Sequence, residues 1–449
     1  MNKSPARLTQ LALACLLLFI TPIASAQPPL PDTRFGAAEA YHLPDKAAEL
    51  RVGWDRMVVQ WYERQPDNGD QWNVSREETE RVNTAVAVGR EMVMLLMGTP
   101  RWASDIGRPG GVPRGLYLPV NDPGNVWANF VRRMVTEHAG RVNHWIIWNE
   151  PDIAVEDFGA QFEGSVQDYY QLLKVAYVAA KQANPKAVVH LGGVTHWHDT
   201  VHGRAPYLQR LFDVMRQDPT ARANNSYFDV ATLHIYFRSE TVFDLITFYR
   251  NLLRRYGLRQ PIWLNETNAA PYDDPQIPWN APMFKLTMDQ QAAFIIQSTA
   301  LALAAGAERV AVFKFYEIGV PAGADAYGLF RQDGSARPAV DAYRVVTTHF
   351  AGVRRTTYLA LKTYYLVRLE RGGAVTRVLW ARRGQPVTVR LRAIPKTSVA
   401  LYDYKGAAHP LMADRNGVYT LSLPAANCSD PAHGCLIGGA PWILVETTR

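Results

Sequence analysis

The chain has 449 residues, 48% of them hydrophobic and 11% aromatic, with no low-complexity run. It is too long for one ordinary core and too apolar to be a disordered or fibrous protein. Its formal net charge is +7, but the basic residues are scattered. No nucleic-acid-binding signature appears, and the excess serves either solubility or attraction to an acidic glycan.

Residues 1–26 read as a secretory signal: Lys3 and Arg7, an apolar stretch over 8–20, then Ala24, Ser25 and Ala26 before Gln27. The stretch is short for a membrane span, so stable insertion is not expected after cleavage. Two rival readings are an acylated Cys15, disfavoured by Ala12 three residues before it, and an uncleaved anchor. The first reading places the mature chain outside the cytoplasm, secreted or periplasmic.

The first strand candidate covers 35–40 and carries Glu39, and helical sequence follows over 45–51. The second strand, 56–61, opens at Arg56. Ser75 with Glu78 three residues on has the pattern of a capping box for a helix reaching about Val88. The third strand, 91–97, runs into Gly98, Thr99, Pro100, Arg101, Trp102 and Ala103. Trp102 either lines a binding surface or packs under the Gly/Pro-rich loop 108–119. Asp122 and Pro123 read as cap and first turn of a helix that puts Trp127, Phe130, Val131 and Met134 on one face and ends at Gly140.

The stretch 144–152, His-Trp-Ile-Ile-Trp-Asn-Glu-Pro-Asp, is central. Its apolar run suits a fully buried parallel strand, and it stops at Asn149 and Glu150. In an eight-stranded α/β barrel, that end of a strand is where catalytic side chains project. Ser165 then opens a helix with Tyr169, Leu172, Leu173 and Ala176 on one face, ending before Pro185. The fifth strand, 187–192, leads into a loop with His196, Trp197, His198, Asp199 and His202. Barrel metal hydrolases use a His-x-His pair with further ligands on other strands, whereas this group is local to one loop.

Helices over 206–216 and 241–256 flank the sixth strand, 230–236, which ends in His234-x-Tyr236. A seventh apolar run, 261–265, ends at Glu266, Thr267 and Asn268. At roughly 30 residues per βα unit, the spacing from Glu150 to Glu266 suits strands four and seven. A polar loop over 269–284 and a helix over 289–306 precede the eighth strand, 309–315, with Lys314, Tyr316 and Glu317 at its end. Glu317 is the rival to Glu266 as the second carboxylate.

From about Val353 the pattern alternates: Val387, Val389 and Leu391 face one way, Thr388, Arg390 and Arg392 the other. Gly372-Gly373 and Asn416-Gly417 supply hairpin turns, so this region reads as an antiparallel sandwich. Of the three cysteines, Cys428 and Cys435 remain after signal cleavage. In an exported chain such a pair forms a disulfide, contributing about 2.5 kcal/mol in the chain-entropy model.

Trp-Asn-Glu-Pro at the fourth strand end, His234-x-Tyr236 at the sixth and Glu266 at the seventh together resemble clan A glycoside hydrolases. The Trp102 segment and the barrel-then-sandwich order are similar to family 39 of that clan. The resemblance implies an α/β (β/α)8 TIM barrel over 27–352 and a β-sandwich over 353–449. It implies a retaining glycosidase with Glu150 as acid/base and Glu266 as nucleophile, acting on a carbohydrate with no metal or other cofactor. Asn149 would then hold the sugar 2-hydroxyl, with Tyr236, His234 and Arg56 around the nucleophile and Trp102 at a sugar subsite. Many members carry a Trp at the eighth strand end. Here Phe313-Lys314-Phe315-Tyr316 stands instead, which puts Lys314 at that subsite and leaves its floor undefined. The rivals are a non-catalytic glycan-binding barrel and a metal-dependent hydrolase using the His196–His198 loop. For export, mass analysis of the mature amino terminus should find Gln27 first, and an intact Met1 or a lipid on Cys15 would overturn the cleavage.

Overall fold

The computed structural model describes residues 30–321, 323–428 and 433–448. Eight parallel strands form the first unit: β1 (Phe35–Ala38), β2 (Trp54–Gln60), β3 (Glu91–Met97), β4 (Val142–Ile147), β5 (Val188–Leu191), β6 (Ala231–Tyr236), β7 (Ile262–Asn268) and β8 (Arg309–Val312). Their order in the sheet is β5-β4-β3-β2-β1-β8-β7-β6. Single parallel bridges, His190 to Val230 and Val194 to Leu233, bring β5 and β6 together and close the ring. This is the expected TIM barrel. The signal and Cys15 lie outside the described residues.

Ten α-helices are described: α1 (Pro44–Glu49), α2 (Trp61–Arg64), α3 (Arg76–Ala87), α4 (Val126–Glu137), α5 (Val166–Ala183), α6 (Trp197–Val201), α7 (Tyr207–Met215), α8 (Ser239–Arg255), α9 (Met288–Ala305) and α10 (Pro338–His349). One helix start and one capping box differ from expectation. Asp122 does not cap α4: its carboxylate accepts from Gly124 N–H in a turn, and Asn125 caps instead, accepting from Ala128 N–H at 3.1 Å. At α3, Ser75 accepts from Glu78 N–H at 3.0 Å, but the Glu78 carboxylate does not return to the cap; it pairs with Arg64. At α5 the box is complete, with Ser165 and Asp168 satisfying each other's N–H groups.

The barrel interior is filled by Trp54, Val93, Leu95, Ile146, Val230, Trp263 and Ala311. Trp54 and Trp263 meet with ring centroids 5.1 Å apart. Gly36 is the residue that makes room for them: a Cβ there would lie 2.3 Å from the Trp54 ring. A larger core outside the barrel joins the strands to the helices, with Trp61, Trp127, Phe130 and Trp148 in one aromatic cluster.

The second unit contains β9 (Val353–Ala360), β10 (Tyr364–Arg371), β11 (Ala374–Ala381), β12 (Val387–Arg392), β13 (Thr397–Tyr402), β14 (Ala408–His409), β15 (Val418–Leu423) and β16 (Trp442–Thr448). Six of these strands form an antiparallel sheet, β14-β13-β16-β11-β10-β9, and β12 pairs with β15 separately. Alternation sorts the faces. Leu379, Ala381, Leu401 and Leu444 pack on Val389, Tyr419, Leu421 and Leu423 of the two-stranded layer, while Val367, Leu369, Val378 and Ile443 join the core shared with the barrel helices. Gly372-Gly373 turns β10 into β11 as expected. Asn416-Gly417 differs: it leads into β15, whose partner is β12 rather than the strand before the turn. Cys428 and Cys435 form a disulfide. Among the described residues, no helix is long and apolar enough to cross a membrane.

Candidate active site

β4 ends at Ile147, and the chain then takes an uncommon path. Trp148 has φ 68° and Glu150 φ 43°, left-handed conformations that side chains with a Cβ rarely adopt and that concentrate at functional sites. Local bonds hold the path. Trp148 N–H donates to the Leu96 carbonyl at 2.9 Å, and Glu150 N–H to Gly193 at 3.1 Å. The Trp148 indole N–H reaches the Gln161 carbonyl at 2.9 Å. Asn149 donates through Nδ2 to Gln161 Oε1 at 3.2 Å, while its Oδ1 is buried without a partner.

Glu150 meets two other strand ends. His234 Nδ1, on β6, lies 2.7 Å from Glu150 Oε1 and 3.5 Å from Glu266 Oε2. Gly193 is required here, because a Cβ at that position would sit 2.1 Å from His234 Nε2. A register shift between β6 and β7 sets the level of Glu266: Leu233 pairs with Leu264, but His234 pairs with Glu266, leaving Asn265 as the extra residue. Asn265 is fully buried and its amide has no partner. Donor atoms of Glu150, His234 and Glu266 all lie within 4.8 Å of one another.

Glu266 is nearly sealed from water, its side chain 6% exposed against 16% for Glu150. Arg56 donates to Glu266 Oε1 and Tyr236 donates to Oε2. The Arg56 guanidinium also lies over the Phe313 ring, 5.7 Å from its centroid. Burial by itself raises the Glu266 pKa, but the Arg56 charge, the His234 charge and the Tyr236 hydrogen bond outweigh it and hold the carboxyl below its ordinary value. For His234, burial lowers the pKa, and Glu266 together with the Glu150 contact raises it more. Tyr236 is pushed well up by burial and by both carboxylates, so it stays a proton donor.

The remaining sequence candidates have other partners. Trp102 packs edge-on against Trp61, and its indole N–H is held by the Gln65 carbonyl at 2.7 Å. Lys314 Nζ lies 3.6 Å from both Glu39 Oε2 and Glu317 Oε1. Glu317 is fully buried, accepting from Gly328 N–H at 2.6 Å and from Arg337 at 3.3 Å. Arg337 and Arg331 in turn pair with buried Asp274, so Glu317 belongs to a structural ion network. In the His196 loop the histidines and Asp199 are paired with neighbouring side chains. His196 meets Tyr249 OH at 3.0 Å, His198 and His202 meet Asp157 at 3.1 and 2.8 Å, and Asp199 pairs with Arg204 and Arg210.

Two further residues stand at the site, and of these only Asp152 leaves a trace in the sequence. Tyr327 stands 5.4 Å from Tyr236, ring to ring, with its backbone carbonyl held by Asn268 at 2.8 Å. Asp152 is buried beneath the β4 loop, accepting from Thr195 N–H and Oγ1 at 2.8 Å and from His196 N–H at 3.1 Å. Burial pushes its pKa up to about 6. The Asp-after-Pro pattern at the end of the central motif is the trace that Asp152 leaves in the sequence.

The model of the glycosyl hydrolase catalytic core family matches residues 119–343, half of the chain, including both strand-end carboxylates. The chain belongs to that family and is a glycosidase acting on carbohydrate. Its fold is similar to that of a family 39 glycoside hydrolase from Bacteroides cellulosilyticus WH2, with TM-score 0.69 and 17% identity over 93% of this chain and 81% of that one. A family 39 enzyme from Xanthomonas axonopodis pv. citri has TM-score 0.58 and 12% identity, covering 94% and 96%. A family 30 endoxylanase from Clostridium papyrosolvens C71 has TM-score 0.62 and 14% identity, covering 93% and 97%. No curated protein matches the chain.

The electrostatics of Glu266 predict the acid side of the pH profile. A carboxylate whose pKa is depressed stays ionised until the pH falls below the ordinary glutamate value of about 4.3. The acid limb of kcat/KM for glycoside hydrolysis should therefore lie below that value. Arg56→Met removes the largest opposing charge and leaves burial to act, so the limb should move to higher pH. An unmoved limb would mean that another group controls it.

Proposed function

We propose that the protein is an exported retaining glycosidase, with a signal over 1–26, a catalytic barrel over 27–352 and a sandwich over 353–449. Glu150 is the acid/base and Glu266 the nucleophile. The observation that carries this reading is the approach of the two carboxylates, with an oxygen of each within 4.8 Å. Retaining pairs stand about 5–5.5 Å apart, whereas inverting pairs need roughly 6.5–9.5 Å to admit a water.

In the first step Glu266 attacks the anomeric carbon, the bond to the leaving oxygen breaks, and Glu150 gives that oxygen its proton. In the second step Glu150 takes a proton from water, whose oxygen displaces Glu266 and releases the sugar. The environments suit these roles. Both Glu266 oxygens accept hydrogen bonds from groups that favour its charge. Glu150 uses Oε1 for His234 and has no protein partner at Oε2 among the described residues, so that oxygen is open to the leaving group. The unpaired Asn149 Oδ1 can accept from a sugar hydroxyl. The disulfide fits an oxidising compartment outside the cytoplasm.

Glu150→Ala should lower kcat/KM by about 10²–10⁴-fold on glycosides with poor leaving groups while sparing the first step for activated aryl glycosides. Equal loss on both would remove Glu150 from the acid role. For Glu266, a 2-deoxy-2-fluoro glycoside with an activated leaving group should let the covalent intermediate accumulate. Peptide mapping should find the sugar on the segment with Trp263, Leu264, Asn265 and Glu266. A label on Glu317 would reassign the nucleophile, and inverted product stereochemistry would overturn the retaining mechanism.

A further inference from the structure

The cavity onto which Glu150 opens has a volume of about 790 Å³ and is walled by the loops that follow β4, β5, β6 and β7, with Leu436 from the second unit. Glu150 lines it and Glu266 does not. In a double displacement the acid lies against the leaving oxygen, while the nucleophile faces the other side of the anomeric carbon. The cavity touches the acid directly and meets Glu266 only through its hydrogen-bond partner Tyr236, which puts it on the leaving-group side. This step rests on the roles proposed above.

The wall of that cavity is apolar where surface residues are ordinarily polar. Phe158 is 103% exposed, Val201 81%, Met283 69% and Trp197 42%, and Ile153 and Leu436 lie behind them. Four of the large apolar side chains exposed on the described surface thus converge on one cavity beside one carboxyl, the kind of contiguous patch that marks a binding site. Aromatic rings alone would suit the flat face of a pyranose. A β-branched aliphatic and a thioether offer neither a stacking plane nor a hydrogen-bond partner; they pack against hydrocarbon.

The polar groups on the same cavity are largely committed to one another. Asp157 is bonded to His198 at 3.1 Å and to His202 at 2.8 Å, and Thr195 to Asp152 at 2.8 Å. Arg238 also lines the cavity. A sugar seated here would have to compete with these existing bonds for its hydroxyl partners, and it would leave the exposed apolar side chains without hydrocarbon against them.

We propose that the leaving group this glycosidase prefers is apolar, an alkyl or aryl aglycone that lies along Phe158, Trp197, Val201 and Met283. The sugar it cleaves is identified first with glycosyl fluorides, whose leaving group is too small to touch the wall and needs little help from an acid. Methyl and n-octyl glycosides of that sugar are then compared. Their leaving alcohols have similar basicity, so the ratio of their kcat/KM values reads contact with the wall. At about fourfold per buried methylene, an octyl-to-methyl ratio of tenfold or more is expected. In the triple variant Phe158→Ser, Val201→Ser, Met283→Ser, which leaves Trp197 in place, the ratio should fall about threefold or more. All three positions are exposed, and a ratio taken on one protein sample is insensitive to the fraction folded. A wild-type ratio near one, or a ratio retained in the variant, would overturn the proposal while fluoride hydrolysis left the glycosidase site standing. Failure to turn over any glycosyl fluoride would bring down both.

Discussion

Glu266 is a carboxylate almost out of contact with water, and Arg56 is the cation that keeps it charged. The pair joins β2 to β7 across the barrel mouth, and removal of either partner leaves a buried charge without compensation. Much of the local architecture serves this contact. On β2, side chains two apart share a face, so Trp54 fills the barrel interior and Arg56 stands one layer above it. Gly36 allows Trp54 to sit where it does, and Trp54 packs on Trp263 of β7. The register shift after Leu264 then carries Glu266 to the level of His234. An interior built from two indoles thus forms the floor under an ion pair.

His234 extends the same logic to the second carboxylate. One nitrogen faces both Glu150 and Glu266, so each carboxyl feels the other's charge partly through a shared donor. Glu150 is the more exposed of the two and lacks an arginine. Two carboxyls in one site are in this way given different environments, which suits the division of labour proposed for them between a proton donor and a charged nucleophile. The strained backbone at Trp148 and Glu150 fits the same account, since a regular strand end would not turn Glu150 towards β6.

The parts legible in the sequence are those with a periodic signal. β3 runs over the seven residues its apolar run marks out, and Glu150 and Glu266 stand out as carboxyls that close buried strands. Arg56 is less legible, because Asp55 and Arg56 interrupt the apolar run and hide the true start of β2 at Trp54. Asp55 is fully buried, accepts from Ala40 N–H at 3.0 Å, and has its pKa pushed up to about 7 by burial. A polar pair inside a strand reads as its edge unless its partners are known. The Asp122 start of α4 failed for a local reason, since Gly124 lets the chain turn once more before Asn125 caps the helix. Tyr327, Phe158 and Met283 sit on loops, where position depends on contacts far away in the chain and no periodicity exists to read.

The second unit reaches further into the site than a scaffold needs to. Between β15 and β16 the chain leaves the sandwich and returns to the barrel, where Leu436 and Ile437 pack with Ala269, Leu286, Ala293 and Phe294. Backbone groups fix this return: Gly438 N–H donates to Gln297 Oε1 at 3.1 Å, and Gln297 Nε2 donates to the Gly439 carbonyl at 2.9 Å. Gln290 likewise binds the Asn427 carbonyl at 3.1 Å. The Cys428–Cys435 bridge ties off the segment between these anchors, so a short excursion is held at both ends and by a covalent link. His433 and Leu436 on that excursion line the Glu150 cavity. Barrel loops from four strands and a loop from the sandwich therefore share one wall, and its shape depends on the packing between the two units as much as on either one alone.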